Sequence, residues 1–159
     1  ICVALQLDEP PAGGALLVGG ADSVGVWSLA GGERQARVHH GEAVLSVCID
    51  GNLVVTGCDD HLVRTWDLSR RVCTRTLQGH AECVFAVAVR GPLVVSGSID
   101  ESVRVWDLAR RKEEGQQDAS IVAVLQHSGM VHAVALGSTT VVSGTFESAR
   151  SRVLVWEMP

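Results

Sequence analysis

Apolar residues in this chain fall in short runs bounded by glycine or polar turn residues, and no stretch repeats them at helical spacing. The run Val84-Phe-Ala-Val-Ala-Val89 reads as a buried strand, Arg90-Gly91 as a tight two-residue turn, and Leu93 to Ser98 as the returning strand. Val44 to Ile49 is followed by Asp50-Gly51, a hairpin signal that predicts a type I′ turn with positive φ at both central residues. Strict alternation resumes in Ser102-Val-Arg-Val-Trp106, a third strand. A fourth follows such segments, as in Arg71 to Leu77. Unbroken apolar runs suit strands covered on both faces, which one small sheet cannot achieve alone.

The same unit recurs. Leu53-Val-Val-Thr-Gly-Cys-Asp-Asp60 and Leu93-Val-Val-Ser-Gly-Ser-Ile-Asp100 are near copies, Thr140-Val-Val-Ser-Gly-Thr-Phe-Glu147 is a third, and Leu16-Leu-Val-Gly-Gly-Ala-Asp22 a weaker fourth. Each leads into a short segment closed by tryptophan: Trp27, Trp66, Trp106 and Trp156, at steps of 39, 40 and 50 residues. A histidine precedes the last three copies. His40 lies 26 residues before Trp66, His80 lies 26 before Trp106, and His127 lies 29 before Trp156. A period near 40 residues with four strands per unit predicts propeller blades. The blades divide the chain at about 1–39, 40–78, 79–126 and 127–159, within one domain spanning 1–159.

Composition narrows the function. The net charge of −5 and pI near 5.6 disfavour nucleic acid or an anionic membrane as the main partner. The basic runs Arg70-Arg71 and Arg110-Arg111-Lys112 are short and read as solvated loops. Five cysteines form no C-x-x-C pair and are odd in number; three of them, Cys2, Cys48 and Cys83, sit in apolar runs, which points to small buried thiols in a reducing compartment. With no apolar run near the ~18 residues of a membrane span, the expected location is intracellular, cytoplasmic or nuclear.

Candidate chemistry is weighed against this repetition. A His, an Asp and a Ser in each unit resemble a catalytic triad, but their recurrence beside a tryptophan marks a structural set. No Cys or His pair has the close spacing of a zinc site, so no metal site is expected. Gly13-Gly14 and Gly19-Gly20 lack the following Lys or helix of a phosphate cradle. No cofactor and no small-molecule substrate are implied.

The pattern resembles the WD40 repeat family: Trp66-Asp67 and Trp106-Asp107 match its signature dipeptide, and Gly79-His80 its Gly-His. The resemblance implies an all-β propeller segment, with four blades of four-stranded antiparallel sheet. It also implies a hydrogen-bonded tetrad of loop His, strand hydroxyl, turn Asp and Trp inside each blade. Carried over, blade two would use His40, Thr56, Asp60 and Trp66, and blade three His80, Ser96, Asp100 and Trp106. Ser96 is chosen over Ser98 because Thr56 keeps a hydroxyl where Cys58 loses it. Blade four would use His127, Ser143, Glu147 and Trp156, with Glu for Asp and three inserted residues. Blade one has Asp22 and Trp27 but Val18 at the hydroxyl position and no loop His. The tetrad is thus expected whole in blades two and three, altered in four and absent in one. The family usually closes a ring of seven blades, so the chain reads as part of a larger ring.

What the resemblance leaves for function is surface. Positions before the turn acid (Ala21, Asp59, Ile99, Phe146) and after the inner-strand valine (Leu45, Phe85, His132) would face the top, around the channel. They are mostly apolar, with Glu42, Glu82 and Asp59 near them. Phosphodegron-reading members of the F-box subgroup, whose short hairpins are similar, carry arginines there; this chain has none. The expectation is a non-catalytic scaffold holding an apolar or basic peptide segment on its top face. Alternatives are the substrate-recognition part of a ubiquitin ligase and a regulatory propeller appended to an enzyme such as a kinase or NTPase. A nucleic-acid or chromatin assembly is a third, less favoured class. Two insertions add individuality: Arg110 to Ala119, and Glu147 to Arg152 with Arg150 and Arg152 at the top rim.

Overall fold

The computed structural model describes residues 2–6, 14–110, 121–147 and 150–157. All regular structure there is β-strand, and each strand pairs antiparallel with its sequence neighbour in an up-and-down meander. The first sheet holds β1 (Cys2–Gln6), β2 (Ala15–Gly19), β3 (Ser23–Ser28) and β4 (Arg34–His39). The second holds β5 (Val44–Asp50), β6 (Leu53–Cys58), β7 (Val63–Asp67) and β8 (Val72–Leu77). The third holds β9 (Val84–Arg90), β10 (Leu93–Ser98), β11 (Ser102–Asp107) and β12 (Ile121–Gln126). The fourth has β13 (Met130–Leu136), β14 (Thr140–Glu147) and β15 (Arg150–Glu157), three strands among the described residues.

Three hydrophobic cores lie between blades, not within them. Leu17, Val24, Val26 and Val38 of blade one meet Val44, Val47, Val54 and Trp66 of blade two. Val55, Val63 and Leu77 of blade two meet Val84, Val87, Val94 and Trp106 of blade three. Val95, Val103 and Val105 meet Val131 and Val141 of blade four. Adjacent residues of one strand therefore serve opposite cores: Val54 and Val55 diverge, as do Val94 and Val95. This is why the second strand of each repeat lacks a polar alternation, since both of its faces are covered.

The inner strands stack β1 against β5, β5 against β9, and β9 against β13. Their close approach depends on one glycine per blade. A Cβ on Gly57 would lie 2.7 Å from Val84 Cγ1 and 2.8 Å from its carbonyl oxygen. A Cβ on Gly97 would lie 2.5 Å from Val131 Cγ1, and one on Gly19 would lie 3.0 Å from Val44 Cγ1. The equivalent Gly144 receives no valine, and a Cβ there would meet Ala133 at an ordinary 3.6 Å. On this last blade Val153 and Val155 of β15 stand 70% and 64% exposed.

Two local expectations are corrected. Asp50 pairs with Leu53 and Arg90 with Leu93, so the turn residues are Gly51-Asn52 and Gly91-Pro92, one position later than read from sequence. Only the glycines have positive φ, 58° and 55°, so the hairpins are not type I′. Proline cannot reach positive φ. Asn52 does not adopt it either, and its side chain instead donates to Asp67 Oδ1 and accepts from the Ser69 N–H. The insertion Glu147 to Arg152 extends the β14–β15 hairpin, with Glu147 paired to Arg150, and the insertion beyond Arg110 lies outside the described residues.

The glycine sockets carry a direct test. Gly97→Ala is expected to destabilise the protein by about 1–3 kcal/mol, because backbone or valine must move to admit the methyl. Gly144→Ala should change stability by less than about 0.5 kcal/mol. Urea midpoints of the two variants, compared at constant m-value, check the contrast.

Candidate functional site

Antiparallel pairing brings two kinds of connection to one end of every blade: the loop that leads into the inner strand and the turn between the second and third strands. The histidines occupy the first and the acids the second. Their interior arrangement is complete in blade three. Trp106 Nε1 donates to Ser96 Oγ at 2.9 Å, Ser96 Oγ is 2.7 Å from His80 Nε2, and His80 Nδ1 is 2.8 Å from Asp100 Oδ2. The order of donors follows from the indole, which can only donate. Ser96 therefore accepts from Trp106 and gives its own proton to His80 Nε2, leaving Nδ1–H to donate to Asp100. Burial holds the His80 pKa below its ordinary value despite the opposing pull of Asp100. Burial alone would raise the Asp100 carboxyl, yet hydrogen bonds from Ser102, Ala81 N–H and His80 bring it to about 2. The result is a neutral imidazole between a hydroxyl and a carboxylate, with no exposed nucleophile.

Sequence reasoning missed Ser102. Its hydroxyl donates to Asp100 Oδ1 at 2.6 Å and lies 3.3 Å from His80 Nδ1, which makes it a fifth member of the network. The signal was its place two residues after the turn acid, a position held by Leu62 in blade two. Ser98, the rejected hydroxyl, donates instead to the Glu82 carbonyl.

Blade two departs from expectation. Trp66 Nε1 does donate to Thr56 Oγ1 at 3.1 Å. Asp60, however, is held by Arg64 through Nη1 at 3.1 Å and Nη2 at 2.5 Å, not by His40. Burial raises the Asp60 carboxyl, but the Arg64 hydrogen bonds and charge outweigh it and hold it below the usual range. His40 turns to Cys58, with Nδ1 3.7 Å from Sγ, and its ring packs 4.3 Å from the Trp66 ring. His40 Nε2 is buried with no hydrogen-bond partner. The physical cause is the leucine at 62: without a serine hydroxyl to occupy the carboxylate, the neighbouring guanidinium takes both oxygens. Burial, then the charge of Arg64, lowers the His40 pKa to about 4. In blade four Ser143 Oγ lies 3.1 Å from His127 Nε2 and accepts from Trp156 Nε1 at 3.2 Å, while the Glu147 side chain lies outside the described residues. In blade one Asp22 pairs with Arg37 and Ser23 at the surface.

The upper surface is shaped by a repeated backbone irregularity. The inner-strand register skips one residue between Val44 and Ser46, and again between Val131 and Ala133; in β9 Val84 pairs with Ser98 while Ala86 pairs with Gly97. The residues passed over are Leu45, Phe85 and His132. An extra residue in one strand leaves the ladder and re-aims its side chain. Phe85 and His132 stack across the blade boundary, with ring centroids 5.5 Å apart and planes 12° from parallel. Beside them Met130 and Phe146 form a cross-strand pair, 45% and 56% exposed. Met130 went unnoticed in the sequence. Ile99 is half-buried and Asp59 exposed, and Asp59 Oδ1 accepts from the Cys83 thiol at 2.9 Å. That hydrogen bond, with burial second, pushes the Cys83 thiol up to about 11. Arg152 reaches Ser128 on the rim.

Comparison with known proteins agrees with this architecture. The family pattern described as "WD domain, G-beta repeat" matches residues 32–67 and 71–107. Myosin heavy chain kinase C of Dictyostelium discoideum is 34% identical over 65 residues, which cover 40% of this chain and 8% of the kinase. Among solved structures, the computationally designed Ika4 protein superposes with a TM-score of 0.79 at 25% identity, covering 99% of this chain and 90% of that one. The computationally designed Ika8 protein gives 0.76 at 26% identity, covering 98% of this chain and 45% of that one.

Two measurements check the interior network. Ser96→Ala strands the Trp106 and His80 nitrogens and should cost about 2–4 kcal/mol, against about 1–2 for Ser143→Ala, whose partners are nearer to water. Equilibrium unfolding of both variants gives the comparison. His40 is neutral when folded and titrates near its ordinary 6.5 when unfolded, so the unfolded chain binds more protons between these values. Its contribution to stability is therefore complete above pH 6.5 and lost as pH falls toward about 4. Discounted for solvent screening, the loss is about 1–2 kcal/mol. Thermal midpoints across this window should fall less steeply in His40→Gln.

Proposed function

We propose that this chain, whose residues 32–67 and 71–107 match the WD40 repeat, is a protein–protein interaction scaffold of that family that holds an extended, apolar or basic peptide segment on its upper face and performs no reaction on it. The observation carrying this reading is the aromatic and apolar group at the boundary of blades three and four: Phe85 stacked on His132, with Met130 and Phe146 exposed beside them. An exposed cluster of this kind favours a partner that buries an apolar side chain, and Glu42, Asp59 and Glu82, on connections at the same end of blades two and three, favour cationic groups further along it. No arginine occupies Leu45, Asp59, Phe85, Ile99, His132 or Phe146, which argues against a phosphorylated ligand here. Asp100 is engaged in internal hydrogen bonds to His80 and Ser102, which argues against a hydrolytic role for the His80–Ser96–Asp100 set.

One further observation favours a more specific setting. The stretch similar to Myosin heavy chain kinase C suggests a regulatory propeller appended to an enzyme, where the upper face would present that enzyme to its protein substrate. A kinase or other enzyme domain encoded in the same transcript supports this setting, and a transcript encoding propeller blades alone overturns it.

Phe146→Glu places a charge in the apolar cluster at an exposed position. It should leave the thermal midpoint within about 2 °C, since surface changes lie within ~0.5 kcal/mol. Affinity purification with native and variant baits, compared by quantitative mass spectrometry, should show specific partners lost from the variant. Partners recovered equally by both would refute the upper-face reading at this blade.

A further inference from the structure

A group of potential ligands unrelated to the tetrads lies where blade two meets blade three. The β6–β7 turn supplies His61 and Asp59, and the β8–β9 connection supplies Glu82 and Cys83. One donor atom from each of His61, Glu82 and Cys83 lies within 4.8 Å of the others. The Cys83 sulfur is also 2.9 Å from Asp59 Oδ1. We propose that His61, Glu82 and Cys83 form a zinc-class divalent cation site that clasps blades two and three together, with Asp59 beside the Cys83 sulfur.

The donor set selects the metal. Imidazole, thiolate and carboxylate together suit zinc and its transition-metal neighbours; calcium and magnesium prefer all-oxygen sites. Bonds of about 2.0–2.3 Å to a tetrahedral ion place donors about 3.3–3.8 Å apart, so the three need contract by only about an ångström, within side-chain rotation. Their backbones are already fixed. Ile99 N–H donates to the Cys83 carbonyl, Ser98 Oγ to the Glu82 carbonyl, and Asp59 N–H to the Ala43 carbonyl. Val84, next to Cys83, is the side chain seated against Gly57. His61 holds φ at 69°, the same left-handed turn position that Glu101 occupies at 63° in blade three. Among the described residues, no other hydrogen bond or ion pair engages its ring or the Glu82 carboxylate. Sequence spacing could not reveal the site, because its ligands come from two repeats and meet only when the blades stack.

A cation bound across this boundary stabilises only the stacked state, so binding must raise the unfolding midpoint. The full-length protein, stripped with chelator, is titrated with cobalt(II) as the probe. One equivalent should produce a thiolate-to-cobalt charge-transfer band that zinc displaces. Zinc at a hundredfold excess over its Kd should raise the midpoint by roughly 5–10 °C. Cys83→Ser should abolish the band. His61→Asn, which tolerates the left-handed turn, should weaken binding at least tenfold, and Cys73→Ser, an exposed thiol elsewhere, should change nothing. Metal-free midpoints of each variant first establish folding. A band that fails to saturate at one equivalent, survives both site substitutions, or disappears with Cys73→Ser overturns the proposal.

Discussion

The contact on which everything else depends is a valine pressed against a glycine across each blade boundary. Val44 on Gly19, Val84 on Gly57 and Val131 on Gly97 set how closely inner strands approach. Tight stacking turns both faces of the second strands of blades two and three into interior. Alternate valines then feed alternate cores, and the apolar runs follow from that demand. A sheet of this size buries too little surface by itself to offset its conformational entropy. The blade is stable because its neighbour completes it, and the glycine makes that completion possible.

The polar network solves a second problem posed by the same stacking. Trp66 and Trp106 fill interblade cores, Trp156 packs against a third, and each of the three carries an N–H that must be paired. The strand hydroxyl meets it, and in blade three the histidine carries the connection onward to the turn. Blades two and three show how sensitive the outer half is. Both have an arginine two residues before the tryptophan, Arg64 and Arg104, yet only Arg64 captures the turn acid. Asp100 is already saturated by Ser102, Ala81 N–H and His80. Where Leu62 replaces the serine, the carboxylate retains free lone pairs and a guanidinium outcompetes a neutral imidazole. The inner half, tryptophan to hydroxyl, is the same in all three blades that have it.

This difference explains what could be read in the sequence. Repeat period, strand number and the tryptophan–hydroxyl pairs are local or periodic, and a single chain displays them directly. The choice between His40 and Arg64 for Asp60 is a competition among three side chains, decided by a residue outside the family motif. Turn register failed by one position at Asp50-Gly51 because the dipeptide signal does not say which residue closes the ladder; Pro92 in the parallel turn held the answer. The upward residues Leu45, Phe85 and His132 were chosen by position alone, while the bulge that ejects them is a property of paired strands.

The same logic separates the fixed parts of this molecule from the free ones. The valine–glycine contact and the hydroxyl hub constrain residues that point into the stack, and there the repeats resemble one another. The bulge residue, the residue before the turn acid and the residue before the inner valine escape both constraints. Leu45, Phe85 and His132 differ in chemistry although their backbones coincide, as do Asp59, Ile99 and Phe146. Variation at these points costs the fold little, because each side chain leaves the ladder at a position where water or a neighbouring blade can receive it. Juxtapositions such as Phe85 on His132, or Cys83 beside Asp59, arise only between blades. Any binding property of this face is therefore a property of blade pairs, with the rigid stack fixing the geometry and the unconstrained positions supplying the chemistry.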